Sequence, residues 1–111
     1  MAIKITVSDQ VGFKVKGTIN DAAGVAQPFD FGLTCIRLDA DQIQAKLKSD
    51  SEASITDFMA DVVSAWSGVK DGDDKQLPYS EEALRQLFKI AGVAGVSFRT
   101  YLLEVGAKEK N

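Results

Sequence analysis

A change of hydrophobic period near Leu38 limits this chain's fold more than any other feature. Before that point apolar side chains recur at every second residue, and beyond it at every third or fourth. Strands followed by helices make an α+β arrangement. Ile3, Ile5 and Val7 alternate with Lys4 and Thr6, while Val11, Phe13, Val15 and Ile19 alternate with Lys14, Lys16 and Thr18. Both runs predict strands with one wet face, the second interrupted by Gly17. Residues 20–28, NDAAGVAQP, gather Asn, Asp, Gly and Pro into a reversal, long for a tight turn and expected to be mobile. Phe29, Phe31, Leu33 and Cys35 then resume the alternation on a returning strand. The expected product is an antiparallel hairpin, widened to a small sheet of two or three strands by the N-terminus.

Three or four helices should follow and cover one face of that sheet. Asp39 or Asp41 can cap a short helix carrying Ala40, Ile43 and Leu47, which expires in the polar linker KSDSEAS, residues 48–54. Ile55, Phe58, Met59, Val62, Val63 and Trp66 make one continuous helical stripe, with Ser54 and Asp57 as a capping-box-like start. Gly68 stops this helix, and the acidic loop KDGDDKQLP, residues 70–78, reverses the chain. Ser80 caps the next helix, where Glu81 and Glu82 favour the positive end of the helix dipole and Leu84, Leu87, Phe88 and Ala91 supply the apolar stripe.

Gly92 and Gly95 bracket a junction into a last helix with two stripes, one of Ala94, Phe98, Tyr101, Leu102 and Val105, the other of Val93, Val96, Thr100 and Leu103. The second stripe has two readings: burial between the sheet and the other helices, or an exposed protein interface.

The length of 111 residues, with 45% hydrophobic and 26% charged side chains, suits one domain, residues 1–106, followed by a charged tail, residues 107–111, that should fray. A formal charge of −3 with scattered acidic residues leaves no concentrated basic surface for nucleic acid. No apolar run approaches a membrane span and no signal-like opening is present, so the expected location is the cytoplasm, without membrane contact. The lone cysteine, Cys35, forms no internal disulfide and is expected to be a small buried side chain.

The absence of histidine removes histidine-based triads and, with one cysteine, the usual zinc sites. Asp71, Asp73 and Glu82 mimic positions one, three and twelve of a calcium loop. That template fails at Lys75, which would put an ammonium among the ligands, and at Gln76, where the bend needs glycine. The expectation is a solvated turn. Neither GxGxxG nor the Walker phosphate loop occurs, and the adjacent pairs Glu81 with Glu82 and Asp73 with Asp74 point apart. No enzyme activity, metal or cofactor is therefore expected.

The segment ITDFMADVVSAWSGVKDGDDKQLPYSEEALRQLF resembles the small tail assembly chaperones encoded by phages and prophages. Trp66, Gly68, Val69, Asp71, Gly72, Leu77, Pro78, Tyr79, Ser80 and Leu84 carry the resemblance, and Asp73, Asp74, Lys75 and Gln76 lengthen the turn relative to a tidy version. FDFGLTCIRLDADQ adds a weaker similarity. The resemblance implies a non-catalytic protein that binds the tape-measure protein in the host cytoplasm during tail morphogenesis, with self-association multiplying its apolar surface. Candidate partner contacts are Trp66, Tyr79, Val96 and Leu103, each of which also has a core reading. Two other classes remain: a structural virion or tail connector subunit, and a small-ligand-binding or carboxylate-only enzyme domain.

Overall fold

The computed structural model describes residues 2–49 and 54–109. Its elements run β1 (Gln10–Asn20), β2 (Ala26–Ile36), α1 (Ala40–Ser49), α2 (Ile55–Val62), β3 (Val63–Ser67), α3 (Glu81–Leu87) and α4 (Val93–Val105). The strands form one antiparallel sheet in the order β1-β2-β3, so the expected α+β architecture is present, with four helices among the described residues.

The β1–β2 register sets Val11 opposite Cys35, Phe13 opposite Leu33, Val15 opposite Phe31 and Gly17 opposite Phe29. These pairs share one face because side chains alternate along each strand. Lys14, Lys16, Thr18 and Asp30 occupy the other face and are exposed. Gly17 does not interrupt β1. The Phe29 ring lies across it, so closely that an added Cβ would stand 2.6 Å from a ring carbon.

The hairpin tip is tighter than the sequence suggests. Pairing extends to Asn20 and Ala26, and the Asp21 carboxylate accepts the amides of Ala23 (2.9 Å) and Val25 (3.0 Å) and the Gln27 side chain (3.0 Å). Those hydrogen bonds, led by that of Val25, hold the Asp21 carboxyl below its ordinary range. Pro28 stands within β2 opposite Thr18. β3 pairs only with Gly32 to Cys35 of β2, so at Pro28 the strand is itself an edge, where a missing N–H is tolerated.

The third strand is not the N-terminal one. Residues 2–9 form no strand, and Ile3, Ile5 and Val7 are exposed by 87%, 102% and 64%. The Asp9 carbonyl accepts the Arg37 amide at 2.8 Å. This carries the β1–β2 ladder one step past Gln10, and the chain bends at Asp9. Beyond that bend the arm pairs with neither free edge of the sheet.

β3 takes the place of the last turn expected of the second helix. α2 starts as anticipated, with the Ser54 hydroxyl accepting the Asp57 amide at 3.1 Å, but it ends at Val62. Val63 is both its C-cap, with φ −74° and ψ 129°, and the first residue of β3. Adjacent β-branched valines suit extended backbone, and the second edge of β2 offers hydrogen-bond partners that a prolonged helix would leave unpaired. An irregularity between Thr34 and Cys35 adjusts the register, and the Ser64 hydroxyl donates to the Thr34 carbonyl at 3.1 Å.

The core lies between the inner sheet face and the helices. Val11, Val15, Phe31, Leu33 and Cys35 from the sheet meet Phe58, Met59, Val62, Leu84, Phe88, Val93, Tyr101 and Val105 in one cluster. α4 lies against β1, and α2 contacts both α4 and α3. The caps of the other helices match their sequence signals: Asp39 and Gln42 exchange hydrogen bonds at 2.7 and 2.9 Å, and Ser80 accepts the Ala83 amide at 3.0 Å. Gly92 begins α4 at φ 91°, a conformation that favours glycine. Gly95 lies inside that helix and marks no junction. Ion pairs link α1 to α2 through Lys46 and Asp61 (2.7 Å) and α2 to α3 through Asp57 and Arg85 (2.8 Å). Within the anticipated linker, residues 50–53 lie outside the described residues, as do residues 110–111 of the tail.

Candidate functional site

Two of the four candidate contact residues come together. Trp66, on β3, and Tyr79, at the end of the acidic loop, meet edge to face with ring centroids 5.2 Å apart. The indole N–H donates to the Leu77 carbonyl at 2.8 Å, and the Tyr79 hydroxyl donates to the Val63 carbonyl at 3.1 Å. Both rings are half-buried. Burial, with a smaller contribution from the Glu81 charge, raises the Tyr79 phenol above its ordinary pKa. Together they fasten the loop to the outer edge of β3, a holding role.

Trp66→Phe should therefore cost about 1–3 kcal/mol by leaving the Leu77 carbonyl short of its donor, and Trp66→Ala about 3–5 kcal/mol. Urea unfolding followed by far-ultraviolet circular dichroism checks both values.

The other two candidates stand two turns apart on α4. Val96 is half-buried against the core, whereas Leu103 is 69% exposed. The second stripe thus divides along its length: Val93 is core and Leu103 faces outward. On the opposite stripe, buried Tyr101 donates its hydroxyl to the Ile36 carbonyl (2.9 Å) and accepts the Leu38 amide (3.2 Å), fixing the chain as it leaves β2.

Near Leu103, the end of α4 forms one wall of a cavity of about 740 Å³. Val7, Ser8 and Asp9 of the arm, the segment after β2, the first turns of α1, and Leu102, Glu104 and Val105 of α4 line it. Leu38, Ile43 and Leu102 supply its apolar surface, and Asp9, Asp39 and Glu104 place carboxylates around it. Arg37 is engaged in the wall: its guanidinium donates to the Val105 carbonyl at 2.7 Å, where a cation suits the negative end of α4. Sequence reading missed this groove because its walls come from residues far apart in the chain. Its only local signal was the alternating arm.

Among the described residues, no three His, Cys, Asp or Glu side chains converge to hold a metal ion. The acidic loop forms a turn around itself, with the Asp71 carboxylate accepting the amides of Asp73 (2.8 Å) and Lys75 (3.1 Å). Cys35 is buried beneath the sheet, and burial pushes its thiol up to about 12, which withholds the reactive thiolate. No helix among the described residues is long and apolar enough to cross a membrane. Compared with known proteins, the chain matches no family model, no curated protein and no solved structure.

Proposed function

We propose that this chain is a phage or prophage tail assembly chaperone, a non-catalytic protein of the host cytoplasm that binds the tape-measure protein while the tail is built. The observation that carries the reading is the open groove of about 740 Å³, lined by exposed Val7 and half-buried Leu38, Ile43 and Leu102. A cavity of this size with an apolar lining suits the side chains of a partner segment, and exposed apolar surface is what a holding factor offers to a chain that would otherwise aggregate. The resemblance of residues 55–88 to such chaperones gives the client its identity. The Trp66 and Tyr79 clasp gives that segment a structural reason for its tryptophan and its proline-tyrosine-serine entry.

Co-expression with overlapping fragments of the tape-measure protein from the same genome tests the reading. At least one fragment should co-purify as a soluble complex. Val7→Glu, at a groove-wall position 64% exposed, should leave the circular dichroism spectrum unchanged and weaken that complex about tenfold or more. If no fragment binds, the proposal fails.

A further inference from the structure

We infer that the groove of one copy receives the arm of a second copy, with Ile3 and Ile5 inserted and Lys4 facing the acidic rim, in a twofold exchange of arms. This rests on the groove being a protein-docking surface, and not on which client the chaperone carries. The arm alternates Ile3, Lys4, Ile5, Thr6 and Val7, a pattern suited to a segment with one side against apolar surface. Among the described residues nothing covers that side: Ile3 and Ile5 are almost wholly in water.

The geometry favours a second copy over the arm's own chain. Val7, Ser8 and Asp9 form part of the groove wall, whereas residues 3–5 do not line it, so the arm leaves its own groove at Val7. The arm bends at Ile5 in the free chain; drawn out at roughly 3.3 Å per residue, it carries Ile3 about 13 Å beyond Val7. That span crosses a twofold axis placed beside the rim and enters the equivalent groove opposite. Because each copy carries both the arm and the groove, one contact implies its mate and the assembly closes as a dimer.

Charge agrees with this occupant. Residues 2–7 carry one cation, Lys4, and no acid. The groove presents Asp9, Asp39 and Glu104, against which its one arginine is bound to a backbone carbonyl in the wall. Glu104 is bridged to Lys108 in the free chain; Asp9 and Asp39 form no ion pair among the described residues. The alternative partner for the arm, the free edge of β1, carries Lys14 and Lys16 on its exposed face, and like charges oppose that pairing.

Sedimentation velocity of the protein alone, over a wide concentration range, should show a monomer–dimer equilibrium. Ile3→Ser with Ile5→Ser should yield a monomer whose circular dichroism spectrum is unaltered. Lys4→Glu should weaken the dimer about tenfold. A paired variant, Ile5→Cys with Leu102→Cys, should oxidise to a covalent dimer on a non-reducing gel, while buried Cys35 stays reduced. A monomer at every concentration, a double-serine variant that still dimerises, or a disulfide closed within a single chain would each overturn the arm exchange. The arm and a tape-measure fragment compete for one groove, so the double-serine variant should bind a fragment at least as tightly as the wild type in the co-expression experiment; a dimer that forms as expected with no fragment bound would overturn the client reading alone.

Discussion

Tyr101→Ala should bring the protein close to unfolding at room temperature, whereas Tyr101→Phe should leave it folded but weakened. The Tyr101 side chain is fully buried, and its ring meets Phe58 at 5.9 Å and Phe13 at 6.2 Å between centroids. Truncating an aromatic at such a site costs about 3–5 kcal/mol in lost transfer energy and cavity formation. The hydroxyl adds a second contribution, since it serves the Ile36 carbonyl and the Leu38 amide together, and a buried group left unpaired costs roughly 1–3 kcal/mol. Both losses fall in the alanine variant and only the second in the phenylalanine variant. A domain of this size has about 5–15 kcal/mol of stability in total, so alanine should remove roughly a quarter of it at the least and most of it at the lower end of that range. Urea midpoints of the three proteins measure the order; equal midpoints for wild type and Tyr101→Phe would show that the hydroxyl links α4 to the sheet without stabilising either.

Raising the pH should destabilise the protein through Cys35, over a window set by its two pKa values. In the folded chain burial lifts the thiol to about 12 from an ordinary 9.0. Below pH 9 the thiol is protonated in both states, and the stabilisation from burying it neutral is fully present. Between pH 9 and 12 only the unfolded chain releases the proton, so stability falls by about 1.4 kcal/mol per pH unit, or about 4 kcal/mol across the window. The phenols of Tyr79 and Tyr101 are also raised by burial and act in the same direction. Cys35→Ala separates the thiol from these: it should lower stability modestly at neutral pH and have a shallower alkaline slope. Parallel slopes for the two proteins would show that water reaches the thiol.

The sheet was legible wherever strand alternation and turn chemistry agreed. Val11, Phe13, Val15, Phe31, Leu33 and Cys35 face inward as their spacing requires, and Ser54, Asp39 and Ser80 cap the helices they precede. Two errors share one cause: local pattern does not reveal which edge of a strand is vacant. Ile3, Ile5 and Val7 have strand spacing but no partner in their own chain. Val63 and Trp66 fit a helical stripe, yet the edge of β2 draws them into a strand, where Trp66 stands opposite Leu33. At the candidate contacts the core reading of Trp66 and Tyr79 was legible, since both rings pack against the core and are hydrogen-bonded, but the exposure of Leu103 and the existence of the groove depend on how α1, α4 and the arm converge.

Because Val63 closes α2 and opens β3 at once, the chain has no spare residue there. One inserted amino acid would either turn the helix by about 100° or reverse the facing of every side chain on the strand, taking Met59 from the interior or Trp66 from its acceptor. The hairpin tip and the acidic loop can absorb a change of length in solvent. This joint cannot, and it ties the tilt of a helix to the position of the sheet's last strand as one stiff piece.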